Sequence, residues 1–398
     1  VDDLLVRWER DREETNRRIN RLTENLQTLD ARLLTVENSR IFRMLQSVTG
    51  YLKNWGAKGK RYVHPAHAEA HERRAYQLWL ERQRLQQPAE TWFRDAIHSF
   101  AYAPRFSLLL HVDRPRHEHL KACVDSIVRQ SYPHWELSVC DDASPESWIG
   151  QYFRELAERD PRVQYVRSEE VMGEASSLNR AGMLGTGDYV CCAGQHDRLA
   201  PHALFYLAEA LQSGRCDLLY SDEDFIGEAG ARERPRFKPG WSPDLLMNAM
   251  YLGRFFAVSR ARLNALDWFS GDLEGSHLGD LALRLAERKP AVRHVPKVLY
   301  SATEDTGVDH AKAVQAALQR RGWKATLDQT PEAGLTIRRK LSGTPLASIV
   351  ICSRNPALLK NCLHAIDSLT AYPVRETVVV QHKTGDDTGM EKLLARSH

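Results

Sequence analysis

The sequence contains no Cys-x-x-Cys pair, no apolar run near the ~20 residues that cross a bilayer, and no dominant basic block. The first absence argues against a thiolate zinc site. The second argues against a transmembrane helix, and no segment reads as a signal peptide. The third removes the electrostatic footprint of a nucleic-acid binder: 55 Lys and Arg stand against 52 Asp and Glu, a formal net charge of +3. Local pairs such as Arg73-Arg74 leave room for peripheral contact with an anionic membrane face, although solvated helix faces are the favoured reading. The cysteines Cys123, Cys140, Cys191, Cys192, Cys216, Cys352 and Cys362 sit mostly in apolar stretches and read as reduced thiols of a cytoplasmic protein. The chain opens at Val1 rather than methionine, which suggests a piece of a longer protein.

What is present is an ordinary globular composition, 42% hydrophobic and 27% charged, over 398 residues, enough for two or three folding units. Residues 1–50 read as a coiled-coil-prone helix. Ile19, Leu22, Leu26, Leu29, Leu33 and Val36 recur at heptad spacing, with no proline or glycine before Gly50. Such a seam needs a second helix, either from another copy (a homo-oligomer through residues 1–47) or from residues 66–98. Residues 51–103 read as a linker with Gly56, Gly59 and Pro65, then a helical lead-in broken near Pro88. His64, His67 and His71 have helix-like spacing and suit solvated histidines or a metal site.

Residues 104–305 alternate strand and helix. Strands are expected at 106–110, 135–140, 163–166 and 189–193, and helices at 117–130, 147–159 and 174–185. That rhythm predicts an α/β fold, a parallel sheet with helices on both faces, and a ligand site at the carboxyl ends of the strands. Asp141, Asp142 and the 194–197 loop fall at such ends. Residues 306–340 read as a helical and strand connector. Residues 341–398 partly repeat residues 104–142: Ala347–Ile351 matches the first strand, Leu359–Leu363 matches Leu120–Val124, and Tyr372-Pro373 matches Tyr132-Pro133. They read as the start of a second, truncated domain.

The blocks QSYPHWELSVCDDASPE (130–146), GDYVCCAGQHDRLAPHAL (187–204), DLLYSDEDFI (217–226), RFKPGWSPDLL (236–246), GSHLGDLALRLAER (275–288) and HVPKVLY (294–300) stand in a telling order. Together with Glu37–Arg40 and the Tyr76…Trp79 pair, they make the chain resemble the family-2 glycosyltransferases. The likeness is to bacterial surface-polysaccharide members (O-antigen or capsule) with an N-terminal coiled coil and tandem domains. The resemblance implies a GT-A fold, Rossmann-like and built for nucleotide-diphosphate sugars, at residues 104–305. It implies that Asp141 and Asp142 flank the base and ribose, with Asn179 and Arg180 on the nucleotide-side helix. Asp222, Glu223 and Asp224 would line the acceptor side; the alternative is a solvated strand-end turn. Inverting transfer by such a fold uses Mg²⁺ or Mn²⁺ on the leaving diphosphate and a base for the acceptor hydroxyl.

The departures fall on the chemical positions. The first-strand exit, Pro-Val-Tyr-Asn in the family, is His111-Val112-Asp113-Arg114, so the stacking aromatic is gone and Asp113 adds negative charge to the nucleotide pocket. The metal turn, Asp-His-Asp-Asp in the family, is Gly194-Gln195-His196-Asp197. The base block, Gln-Asp-Tyr-Asp in the family, is His277-Leu278-Gly279-Asp280, with Leu278 at the base position. Ser301 replaces a late histidine, and the second copy has Gln381-His382 where the family has Asp-Asn. The expectation is a degenerate domain acting as a scaffold or ligand-binding module, with no cofactor assigned unless it is active. Its partners would be a weakly held nucleotide sugar, a glycan, or polysaccharide-assembly proteins at the inner face of the membrane. The alternative is an active inverting glycosyltransferase with His196 and Asp197 on Mg²⁺ or Mn²⁺ and His277 or Asp280 as the catalytic group.

Overall fold

The computed structural model describes residues 65–227, 230–303, 310–330 and 334–381. The heptad seam, the Gly56/Gly59 linker, His64, the side chains of His67 and His71, and residues 382–398 lie outside the described part. The chain divides into two compact units, Val1–Ala75 and Tyr76–His398, and the second holds the sheet.

Four parallel strands come first: β1 (Phe106–Val112), β2 (Trp135–Asp141), β3 (Val163–Arg167) and β4 (Tyr189–Ala193). They lie in the order β3-β2-β1-β4. β1 and β4 are near-continuous apolar runs because both of their faces are covered, whereas β2 alternates with buried Glu136 and Ser138 and edge strand β3 is only partly buried. On β1, Leu108 and Leu110 enter one core, shared with α3 (His117–Val128), α4 (Ser147–Arg159) and α6 (Ala203–Ala210). Leu109 enters the opposite core, with α5 (Glu174–Gly182), α9 (His277–Glu287) and α10 (His310–Arg320).

Beyond β4 the sheet turns mixed. Antiparallel β8 (Phe256–Ser259) joins β4 to β6 (Leu218–Ile226), and β9 (Val292–Ala302) runs parallel to β6. Short β5 (Arg198–Leu199) closes the far edge on β9, and β7 (Arg232–Arg236) pairs with β6. Helices α7 (Pro243–Asn248) and α8 (Arg260–Ala265) are short connectors, and β10 (Ala325–Thr330) and β11 (Gly334–Arg339) form a hairpin.

From Tyr76 onward the helical lead-in packs as part of the second unit. In α1 (Pro65–Leu85) the Tyr76 hydroxyl donates to Asp224 Oδ2 at 2.7 Å. In α2 (Glu90–His98) Phe93 is fully buried, stacked on His202 at 3.7 Å and edge-on to Phe205 at 4.9 Å.

The internal repeat is visible in hydrogen bonds as well as letters. Strand β12 (Ala347–Ser353), α11 (Pro356–Leu369) and β13 (Arg375–Gln381) make a parallel pair in which Ala347 faces Arg375, as Phe106 faces Trp135. Ser348 Oγ donates to Glu376 at 2.6 Å, as Ser107 Oγ donates to Glu136 at 2.5 Å. The Tyr372 hydroxyl donates to the Pro345 carbonyl, as Tyr132 does to Pro104.

Candidate functional site

The ends of β1, β2 and β4 converge as a doubly wound sheet demands, but the side chains there are turned onto the protein itself. Asp141 accepts from the Ser144 amide at 3.0 Å and the Tyr165 hydroxyl at 2.9 Å, and pairs with Arg167 at 3.3 Å. Asp142 accepts from the amides of Met172 at 2.8 Å and Gly173 at 2.9 Å and from Ser168 Oγ at 3.2 Å, with His111 at 3.5 Å. Burial alone would raise the Asp142 pKa; those donors and His111 outweigh it and hold the carboxyl below its ordinary value. Asn179 is spent on a two-way bond with the Phe269 backbone, its amide donating at 2.8 Å and its oxygen accepting at 3.1 Å. Arg180 lies in the last turn of α5, where its charge reaches Cys140. Asp113 is clasped by Gln195, whose amide oxygen accepts from the Asp113 N–H at 3.0 Å and whose Nε2 donates to the Asp113 carbonyl at 2.9 Å. Gln195 therefore ties the exits of β1 and β4 together.

In the 194–197 turn the one carboxylate is held by protein donors. Asp197 accepts from the Tyr300 hydroxyl at 2.5 Å and from the Thr303 amide and hydroxyl at 2.8 and 2.9 Å. The Arg254 guanidinium stands 3.9 Å from the same carboxylate and is ion-paired with Glu174. A Cβ at Gly194 would overlap Asp197 Oδ2, so Asp197 occupies space that only a glycine at 194 leaves open. The His196 ring accepts from the Arg116 amide at 3.1 Å and meets His119 edge-on at 5.4 Å, while Asp197 is held by Tyr300 and Thr303. Burial works against the Arg254 cation, yet Glu174, Tyr300 and Asp197 more than offset it and raise its pKa. Burial and the Asp197 charge together push the Tyr300 hydroxyl far up, so it stays a donor.

The base block of α9 splits in two. His277 faces the cleft, 3.9 Å from Glu174 Oε2 and edge-on to Phe269 at 5.8 Å. It is buried, and neither ring nitrogen has a hydrogen-bond partner. Burial lowers its pKa, against the opposing pull of Glu174 and Glu274, so the ring is neutral. Asp280 belongs to a different network, bonded to Arg284 at 2.7 Å and Arg320 at 2.8 Å. Leu278 is core.

Asp222, Glu223 and Asp224 are no solvated turn. They lie within β6 and all are buried. Asp222 accepts from the Lys238 amide at 2.9 Å and pairs with His294 at 2.8 Å; Glu223 binds Lys238 Nζ at 3.0 Å; Asp224 binds Arg232 at 2.7 Å as well as Tyr76. Three acids fit on one strand because each has its own cation or donor. Of the three, only Glu223 lines the neighbouring cavity of about 750 Å³, with Asp197, Phe237, Lys238, Arg254 and Tyr300.

Sequence reasoning missed Arg254, Lys238, Glu174, Glu274, Tyr300 and Thr303. Arg254 lies in no motif, and Glu174 reads as a commonplace acid in the first turn of a helix. Their roles come from long-range approach: 80 residues separate Glu174 from Arg254 and 106 separate Asp197 from Thr303.

Residues 116–270 match the model of the family described as glycosyl transferase family 2. The chain is 31% identical over 325 residues to the O-antigen biosynthesis protein RfbC of Myxococcus xanthus, covering 78% of this chain and 25% of that protein. It is 25% identical over 220 residues to an Escherichia coli chondroitin synthase, covering 52% of this chain and 32% of the synthase. Among solved structures, S. aureus TarS 1–349 in complex with UDP superposes with a TM-score of 0.44 at 17% identity, covering 54% of this chain and 65% of that one. The chain spans a quarter to a third of the length of these two curated relatives.

Proposed function

Residues 116–270 are a glycosyl transferase family 2 domain on a mixed α/β sheet of the GT-A kind, and from that premise we propose a role in bacterial surface-polysaccharide assembly without metal-assisted sugar transfer at the usual motif. The domain serves as a scaffold or ligand-binding module. The observation that carries this reading is the state of Asp197: the last carboxylate of the metal turn is committed to Tyr300, Thr303 and Arg254, while position 194 has no side chain to offer. A single guanidinium charge, already shared between two carboxylates, does not replace a dication facing a leaving diphosphate. Leu278 at the base position supports the same conclusion, since a buried leucine takes no proton. The polysaccharide context rests on likeness to proteins such as RfbC.

The partners in this reading are a weakly held nucleotide sugar, a glycan or polysaccharide-assembly proteins, and further copies of the chain joined through the heptad seam of residues 1–47. The protein would work in the cytoplasm, at the inner face of the membrane. Among the described residues no helix is long and apolar enough to cross a bilayer, so such contact would be peripheral. Titration of UDP, GDP and dTDP by calorimetry, with and without Mg²⁺, tests the central point. Binding should be weak and indifferent to Mg²⁺, with no nucleoside diphosphate released from a sugar donor. Tighter binding with Mg²⁺, together with release, would overturn it.

A further inference from the structure

We propose that His277, Glu174 and Glu274 form a transition-metal site separate from the 194–197 turn. Among the described residues this is the one group of three His, Cys, Asp or Glu side chains whose ligand atoms all lie within 4.8 Å of one another. Two ligand atoms each about 2.1 Å from an ion sit up to about 4.2 Å apart, so small side-chain rotations close the set.

Three further observations point to a ligand. First, His277 is 2% exposed, lacks a hydrogen-bond partner on either ring nitrogen, and aims Nε2 at Glu174 from 3.9 Å, too far for a hydrogen bond. A buried imidazole left so is costly unless something bonds to it. The neighbouring imidazole, His111, lies 3.5 Å from Asp142 and likewise leaves its Nε2 without a hydrogen bond. Second, the charges do not balance. Glu174 and Asp197 share the one cation Arg254, and Glu274 brings a further carboxylate within 4.8 Å of Glu174 and His277, negative charge that a dication would offset. Third, the backbone makes room for Glu274. Gly173 has φ +86°, and a Cβ there would press on Glu274 Oε2 at 2.9 Å.

Glu274 already accepts from the amides of Glu174 at 2.8 Å and Ala175 at 3.1 Å, capping α5. Each oxygen takes one of those bonds and keeps a lone pair for a metal. Such orienting bonds to a ligand are what metal sites ordinarily carry. Glu174 is similarly divided, one oxygen on Arg254 and the other toward His277. One imidazole and two carboxylates suit Zn²⁺, Co²⁺ or Mn²⁺ rather than Mg²⁺, which prefers oxygen and retained water. Glu274 is exposed, so the ion has an entry path and open positions for water or an anionic oxygen of a bound molecule.

This inference stands apart from the polysaccharide reading, and its test uses metal alone. The whole chain, stripped with chelator, is titrated with Zn²⁺ by calorimetry and with Co²⁺ by visible absorption. One ion per chain should bind, with a Co²⁺ spectrum of low coordination number. His277→Gln and Glu274→Gln should each weaken binding at least tenfold while circular dichroism shows an intact fold; the second, at an exposed side chain, guards against a variant that fails to fold. No binding by the wild type would overturn the site. So would equal binding by folded variants, which would assign the ion to other groups such as His64, His67 and His71.

Discussion

At the scale of single residues, Asp197 shows how one missing side chain redirects another. With glycine at 194 the carboxylate swings onto Tyr300 and Thr303, and the turn becomes a strut between β4 and β9. Gly194→Asp should therefore cost about 1–3 kcal/mol in urea unfolding through overpacking, and nucleotide affinity should stay blind to Mg²⁺. A variant as stable as wild type, with Mg²⁺-dependent binding, would mean that Asp197 moves aside freely. His277 supplies a pH test in metal-free buffer. Burial lowers its pKa, so the unfolded chain takes up a proton near its ordinary value of about 6.5 while the folded chain does not. The unfolded state then binds more protons, and stability falls as pH drops below about 6.5. His202, also lowered by burial, adds the same sign. Wild type should lose stability between about pH 7.5 and 5.5, and His277→Phe should lose less; equal losses would remove His277 as the cause.

At the scale of elements, the lead-in helix α2 is a wall of the domain. Phe93 of α2 sits fully buried between His202 and Phe205, and Phe93→Ala should cost about 3–5 kcal/mol. A shift in the urea midpoint measures it, and a midpoint within error of wild type would make α2 a dispensable tether. The strands and helices of the parallel half were legible because their apolar runs are set by burial on both faces, which sequence displays directly. β5, β7 and β8 left weaker traces. They are short, and β7 is a charged Arg-Glu-Arg-Pro-Arg edge held by pairing with β6 rather than by its own propensity.

At the scale of the whole molecule, the repeat of Ser107–Glu136 as Ser348–Glu376 says that one strand-helix-strand plan was used twice, down to a Ser–Glu bond that is buried in the first copy and exposed in the second. The heptad seam bears on assembly. Light scattering should give a multiple of the 45.4 kDa chain mass for the full protein and a monomer for a 51–398 truncation. Two monomers would leave the seam without a partner chain.

Periodicity and motif order, read from the letters alone, determined the α/β class, the parallel half, the internal repeat and the likeness to family-2 glycosyltransferases. They also located the positions where acids are missing, since a substitution at a motif position is visible without coordinates. Which groups take over those positions was decided only by tertiary structure. Arg254 reaches Glu174, Tyr300 reaches Asp197, and Glu274 reaches the start of α5 across roughly a hundred residues or fewer. Charge compensation in a buried cleft depends on distance in space, and separation along the chain carries no record of it.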